Sequence, residues 1–212
     1  MTETNLHRML AGEKDPDLDQ AVQVALADAE AMRETLEGLV SKEEVFRYNC
    51  FKVLHRISKD QPLVMYPEWD YFVELVGSSN SYHRSIALRL LANLTPVDSE
   101  GRFERIFDRY FDLLDDESVV TARYLAQDAG RIVRAKPHLR ARIVDRLLAV
   151  DETHHPQGRK DLIKADVIQS FAEFFEDSDR KERILAFVQE QLECSSPKTR
   201  KAAKAFLNKY GK

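Results

Sequence analysis

The sequence predicts an all-α chain, a stack of about five helical hairpins, and three observations predict it. Charged residues make up 32% and hydrophobic residues 43% of the 212, with only seven glycines and seven prolines, a composition that favours helices over strands joined by tight turns. Apolar residues recur at helical spacing, at an anchor position and then three, four and seven residues further on. That pattern itself returns five times, at intervals close to the length of one helical hairpin.

Taken in order, residues 1–16 read as a tail or partial helix and residues 17–212 as one repeat domain. Asp15-Pro16 places a capping residue before a first-turn proline, and one long helix over 17–40 follows. Ser41 and Glu44 have the spacing of a capping box for the next helix, whose stripe is Cys50, Val53, Leu54 and Ile57. Pro62 stops it, because proline removes a donor and clashes with the preceding turn. Trp69, Phe72, Val73 and Val76 share a face that Gly77 ends, which makes core packing the reading of the single tryptophan. SYHRSIALRLLANL at 81–94 carries Ala87, Leu90, Leu91 and Leu94 and is followed by Pro96. Phe103, Ile106, Phe107, Tyr110 and Leu114 form the next face.

The third anchor stripe is Ala122, Leu125, Ala126 and Ala129, with Pro137 after it and Leu139, Ile143 and Leu147 on the helix beyond. A polar segment, DETHHPQGRKD at 151–161, reads as a solvated loop. Ile168, Phe171, Ala172 and Phe175 make the fourth stripe, then Ile184, Leu185, Val188 and Leu192 a partner face. Ser196-Pro197 opens the last helix, with Ala203, Phe206, Leu207 and Tyr210. The anchors lie 37, 35, 46 and 35 residues apart, and the loop accounts for the long interval. No hairpin buries its stripe alone, so the units are expected to stack.

The second helices begin Arg47-Tyr-Asn-Cys50, Arg84-Ser-Ile-Ala87 and Arg200-Lys-Ala-Ala203, which with a period of 35 to 46 residues resembles the Arg-x-x-Ala pattern of HEAT and armadillo-like repeats. Val119 and Ala165 stand at the arginine position of the third and fourth units and depart from it. The tetratricopeptide Trp-Leu-Gly-Tyr pattern is missing. The resemblance implies a right-handed α-α superhelix whose second helices line a concave, partner-binding side.

Helical geometry then selects the residues opposite each stripe. These are Tyr48, Lys52 and His55; Tyr82, Arg89 and Asn93; Tyr124, Gln127, Asp128 and Arg131; and, beyond them, Asp166, Ser170 and Glu173, then Lys201, Asn208 and Lys209. Three tyrosines with several cations on three successive helices are the residue types that anchor interfaces. Tyr48, Lys52, His55, Tyr82, Arg89, Asn93, Tyr124, Gln127 and Arg131 are therefore the candidate site for a protein or peptide partner.

No GxSxG, HExxH, CxxC pair or phosphate-cradling glycine loop occurs, so the chain reads as non-enzymatic, with no cofactor. Asp151, Glu152, His154 and His155 are crowded in sequence, but a polar loop does not hold ligands in fixed geometry, and no metal is assigned there. Asp115, Asp116 and Glu117 read as acids before a helix N-terminus.

Net charge is −4, yet residues 1–44 carry eleven acids against four bases, residues 131–146 six bases against one acid, and residues 195–212 six bases and no acid. Nucleic-acid binding through 131–146 and 198–212, in the manner of repeat-built DNA glycosylases, is the alternative. MTETNLHRML has neither a basic start nor an apolar run, no segment reaches the length of a membrane span, and Cys50 and Cys194 read as reduced thiols, so a cytoplasmic protein is expected.

Overall fold

The computed structural model describes residues 5–12 and 16–211. Helix α1 (Asn5–Ala11) is followed by α2 (Leu18–Ala27), α3 (Ala29–Gly38), α4 (Glu44–Asp60), α5 (Pro62–Met65), α6 (Trp69–Val76) and α7 (Ser81–Leu94). Then come α8 (Arg102–Phe111), α9 (Val119–Ala135), α10 (Arg140–Leu148), α11 (Gln157–Phe171), α12 (Lys181–Glu190) and α13 (Pro197–Tyr210), joined by short 3₁₀ turns. The described residues contain no strand. The protein is all-α.

The stripes make the core. Val53, Leu54, Leu90, Leu91, Leu125, Ala126, Ile168, Phe171, Ala203 and Phe206 are all buried. The helices that carry them are neighbours in chain order: α7 lies between α4 and α9, α11 packs against α9, and α13 against α11. Trp69, Phe72, Phe103, Phe107, Ile143, Leu147, Ile184 and Val188, from α6, α8, α10 and α12, fill the space behind them. Trp69 is a core residue. Gly101, at φ 66°, takes the left-handed turn into α8 that a side chain would disfavour.

Three expectations change. The helix over 17–40 is two helices, because Asp28 is extended (φ −132°, ψ 119°) and its carboxylate accepts the Glu30 amide at 2.9 Å, ending α2 and capping α3. Asp15 lies outside the described residues, and Asp17 caps α2 by accepting the Gln20 amide at 3.0 Å. Ser41 and Glu44 form no capping box: Ser41 accepts the Glu43 amide at 3.1 Å instead, and α4 starts without a side-chain cap.

The polar segment 151–161 is mostly ordered secondary structure: a 3₁₀ turn covers Ala149–Glu152, and α11 begins at Gln157. Thr153, His155 and Asp161 within it are buried. Residues 5–11, within the segment expected to be a tail or partial helix, form a helix whose Leu6 and Leu10 enter the core. The buried Asn49 amide donates to the Leu10 carbonyl at 2.7 Å.

The sequence repeat has a counterpart in polar contacts. Arg84 pairs with Asp116, Arg89 with Asp128, Arg123 with Asp166, Lys136 with Asp98 and Arg142 with Asp108, across separations of 32 to 43 residues. Arg89–Asp128, Arg123–Asp166 and Arg142–Asp108 each join two helices, and Arg84–Asp116 joins α7 to the turn before α9. The three signature arginines also share a local job: Arg47, Arg84 and Arg200 each donate Nη1 to the carbonyl six residues earlier, Ser41, Ser78 and Cys194, at 2.6, 2.8 and 2.6 Å. They hold the turn that precedes the second helix.

Candidate functional site

Helices α4, α7 and α9 bring the three tyrosines onto one face. A cation lies over each ring: Lys52 over Tyr48 (5.2 Å to the centroid), Arg47 over Tyr82 (4.6 Å) and Arg89 over Tyr124 (4.6 Å). In the last two pairs the cation comes from the preceding helix, so the row is interleaved across units. Tyr48 is exposed, while Tyr82 and Tyr124 are half-buried. Burial pushes the Tyr82 hydroxyl up to about 12, against the opposing pull of Arg47, and the hydroxyl has no well-formed hydrogen bond.

Toward the C-terminal ends of the same helices the face is polar. Arg89 Nε donates to the buried Asp128 at 3.2 Å. Burial holds the Asp128 carboxyl above its ordinary value, and the Arg89 and Arg131 guanidiniums offset this only in part. Arg131 donates to Asn93, and Asn93 Nδ2 donates to Ser58 Oγ at 2.9 Å. His55 lies against Phe51, with ring centroids 5.4 Å apart. Its Nε2 is buried without a partner, and burial followed by Arg89, Arg131 and Lys59 lowers its pKa to about 4. The neutral imidazole is therefore the form present at neutral pH.

Several residues expected to face outward do not. Asn93 is 3% exposed, because its amide is the link between α4 and α9. Asp128, Asp166 and Ser170 are buried as well. Asp166 accepts from Arg123 at 2.6 Å and from Lys198 at 2.8 Å, so it joins α9, α11 and α13 and does not face a ligand. Glu173, Lys201, Asn208 and Lys209 are exposed as expected. Lys52, His55, Arg89, Gln127 and Arg131 are partly exposed.

Sequence reasoning missed Arg47, which supplies one of the stacked cations, and Asp115. The carboxylate of Asp115 accepts the His154 amide at 2.7 Å and meets His154 Nδ1 at 2.6 Å. Asp115, His154 and His155 each bring one ligand-type atom within 4.8 Å of the others. Asp151, assigned beside the histidines in the sequence, pairs with Lys164 at 2.7 Å. The missed signal was spacing: Asp115 and His154 are 39 residues apart, one unit, as the ion pairs are.

Elsewhere a hollow of about 470 Å³ opens between α11 and α13, floored by Ile168, Ala172, Ala202 and Phe206 and edged by Lys198, Lys201 and Lys209. Both cysteines are free thiols, with Cys50 buried. Among the described residues no helix is long and apolar enough to cross a membrane.

No protein-family profile matches this chain, and no curated protein does. Among solved structures it is similar to an engineered protein determined by the Northeast Structural Genomics Consortium, with a TM-score of 0.52 and 16% identity. That likeness covers 98% of this chain and 87% of the other. At such identity it is a likeness of fold alone.

Proposed function

We propose that the chain is a non-enzymatic interaction module, a right-handed superhelix of the HEAT or armadillo type that holds a partner protein or extended peptide on the face of α4, α7 and α9. The observation that carries this reading is the interleaved row Tyr48–Lys52, Tyr82–Arg47 and Tyr124–Arg89. Tyrosine supplies apolar area and a hydroxyl at low conformational cost, and an arginine stacked on a ring is already ordered before a partner arrives. The superhelix is supported by the chain-order packing of the second helices and by polar contacts spaced one unit apart.

The test places a photo-crosslinking residue at Tyr48, at Tyr124 or, on the first-helix side, at Arg105 in the native cell. Capture of one and the same protein from positions 48 and 124 but not 105 is expected. Capture from 105 alone contradicts the proposed face. In the purified protein, Tyr48→Ala is expected to change unfolding free energy by less than about 0.5 kcal/mol, since the ring is exposed, while removing the crosslinked partner.

Nucleic-acid binding is the second reading, favoured by the exposed Lys201 and Lys204. It is weakened at 131–146, where Arg134 pairs with Glu173, Lys136 with Asp98, Arg142 with Asp108 and Arg146 with Asp112. Cations already neutralised by carboxylates displace few counterions from a phosphate backbone. A steep log-linear loss of oligonucleotide affinity with salt, relieved by Lys201→Glu with Lys204→Glu, would favour this reading over the first.

A further inference from the structure

We propose that Asp115, His154 and His155 form a binding site for a divalent ion of the zinc class, clamping the turn before α9 to the turn before α11. The three ligand-type atoms come from two segments one unit apart and already lie within 4.8 Å of one another. Two imidazoles and one carboxylate suit zinc or its first-row neighbours, whereas magnesium and calcium prefer oxygen alone.

The strongest observation is His155. Its side chain belongs to a residue only 4% exposed, and its Nε2 is buried with no hydrogen-bond partner. A neutral histidine with its proton on Nδ1 presents the lone pair of Nε2, one of the two ring atoms that bind metals. Burying a ring nitrogen without a partner is otherwise unfavourable.

The other two ligands can adjust. His154 and Asp115 side chains are 53% and 52% exposed, and the 2.6 Å contact between them is a hydrogen bond. With ligand bonds of about 2.0–2.2 Å, tetrahedral ligands sit roughly 3.3 Å apart, so this pair opens slightly and the more distant member closes. The His154 amide fixes the same Asp115 carboxylate oxygen, Oδ1, that His154 Nδ1 meets. The ion takes the place of the hydrogen between His154 Nδ1 and Asp115 Oδ1, the proton is released to water, and water completes the fourth position from the solvent side. Three protein ligands on two neighbouring units tie those units together.

The experiment uses the full chain without a histidine tag, stripped of metal, with the partly exposed Cys194 replaced in Cys194→Ser and Cys50 left buried. Cobalt(II) alone is titrated, followed by zinc displacement. The expected result is a single saturable site with the visible absorption of four-coordinate cobalt, reversed by zinc, and a melting temperature that rises with zinc as mass action requires. Asp115→Asn and His154→Gln are each expected to weaken binding at least about tenfold, and both positions are exposed enough to leave folding intact. His155→Gln is expected to abolish it. No saturable binding, or binding that survives in both Asp115→Asn and His154→Gln, overturns the site.

Discussion

Two sets of ion pairs join segments of this molecule 32 to 38 residues apart in sequence, and they differ in burial far more than in chemistry. The inner set includes Arg84 with Asp116, 2.5 Å apart with side chains 9% and 3% exposed, and Lys136 with Asp98 at 2.9 Å. The outer set runs along the first helices: Arg142 with Asp108, 3.3 Å apart and 53% and 73% exposed, Arg146 with Asp112 at 2.5 Å, and Arg183 with Asp145. The two sets span similar sequence intervals, 32 and 38 residues in the inner set and 34 to 38 in the outer. Among the described residues of the two sets, only the inner carboxylates also accept backbone amides. Asp116 also accepts the Ser118 amide at 2.8 Å, and Asp98 accepts the amides of Arg102 and Phe103 at 2.9 Å each and the Tyr66 hydroxyl at 2.7 Å. Periodic charge pairing records the architecture in both places, and burial decides where it specifies the stacking.

Breaking that contrast starts with its largest expected effect. Asp98→Ala leaves Lys136 buried beside three lost hydrogen bonds, and a loss of about 3–5 kcal/mol is expected in urea unfolding. Acid acts on the same group. Burial alone would raise the Asp98 carboxyl, but the Phe103 amide, Lys136 and the Arg102 amide together hold it at about 2. Its contribution is present above the ordinary carboxylate range and is lost as pH falls from about 4 to 2.

His55 adds an earlier step. Its folded value near 4 lies below the ordinary 6.5, so the unfolded chain takes up the proton first and stability declines as pH falls from about 6.5 to 4. The decline attributable to His55 is on the order of 3 kcal/mol at most, and His55→Gln should flatten the stability–pH curve in that window. An unchanged slope would mean that the imidazole is charged in the fold. The smallest effect belongs to the outer set: Asp108→Asn is expected to change stability by less than about 1 kcal/mol.

The apolar stripes were readable because burial follows period directly. Cys50, Ala87, Ala122, Ile168 and Ala203 anchor five helices, and all are buried. The break at Asp28 was not readable from the stripes, since Ala21, Ala25, Ala31 and Leu36 bury on both sides of it; it rests on one carboxylate competing for an amide. The site was legible in part. Tyr48, Tyr82 and Tyr124 do share a face with their cations, but Asn93, Asp128 and Asp166 are drawn inward by arginines on neighbouring helices. Position on a helix gives a direction and leaves open which side chain a neighbouring unit will engage. The meeting of Asp115 with His154 and His155 has the same origin, because it depends on the stacking of two turns and not on either sequence alone.

The most direct test of the contrast is a single comparison of urea midpoints for Asp116→Ala and Asp108→Ala, measured at the same pH and salt. Each removes one carboxylate that reaches an arginine of an adjoining unit. The expected result is a large drop for Asp116→Ala, corresponding to about 3 kcal/mol or more, and a shift within about 1 kcal/mol for Asp108→Ala, shrinking further as salt is raised. Equal shifts for the two variants would contradict the claim that burial makes the inner pairs the ones that specify the stack.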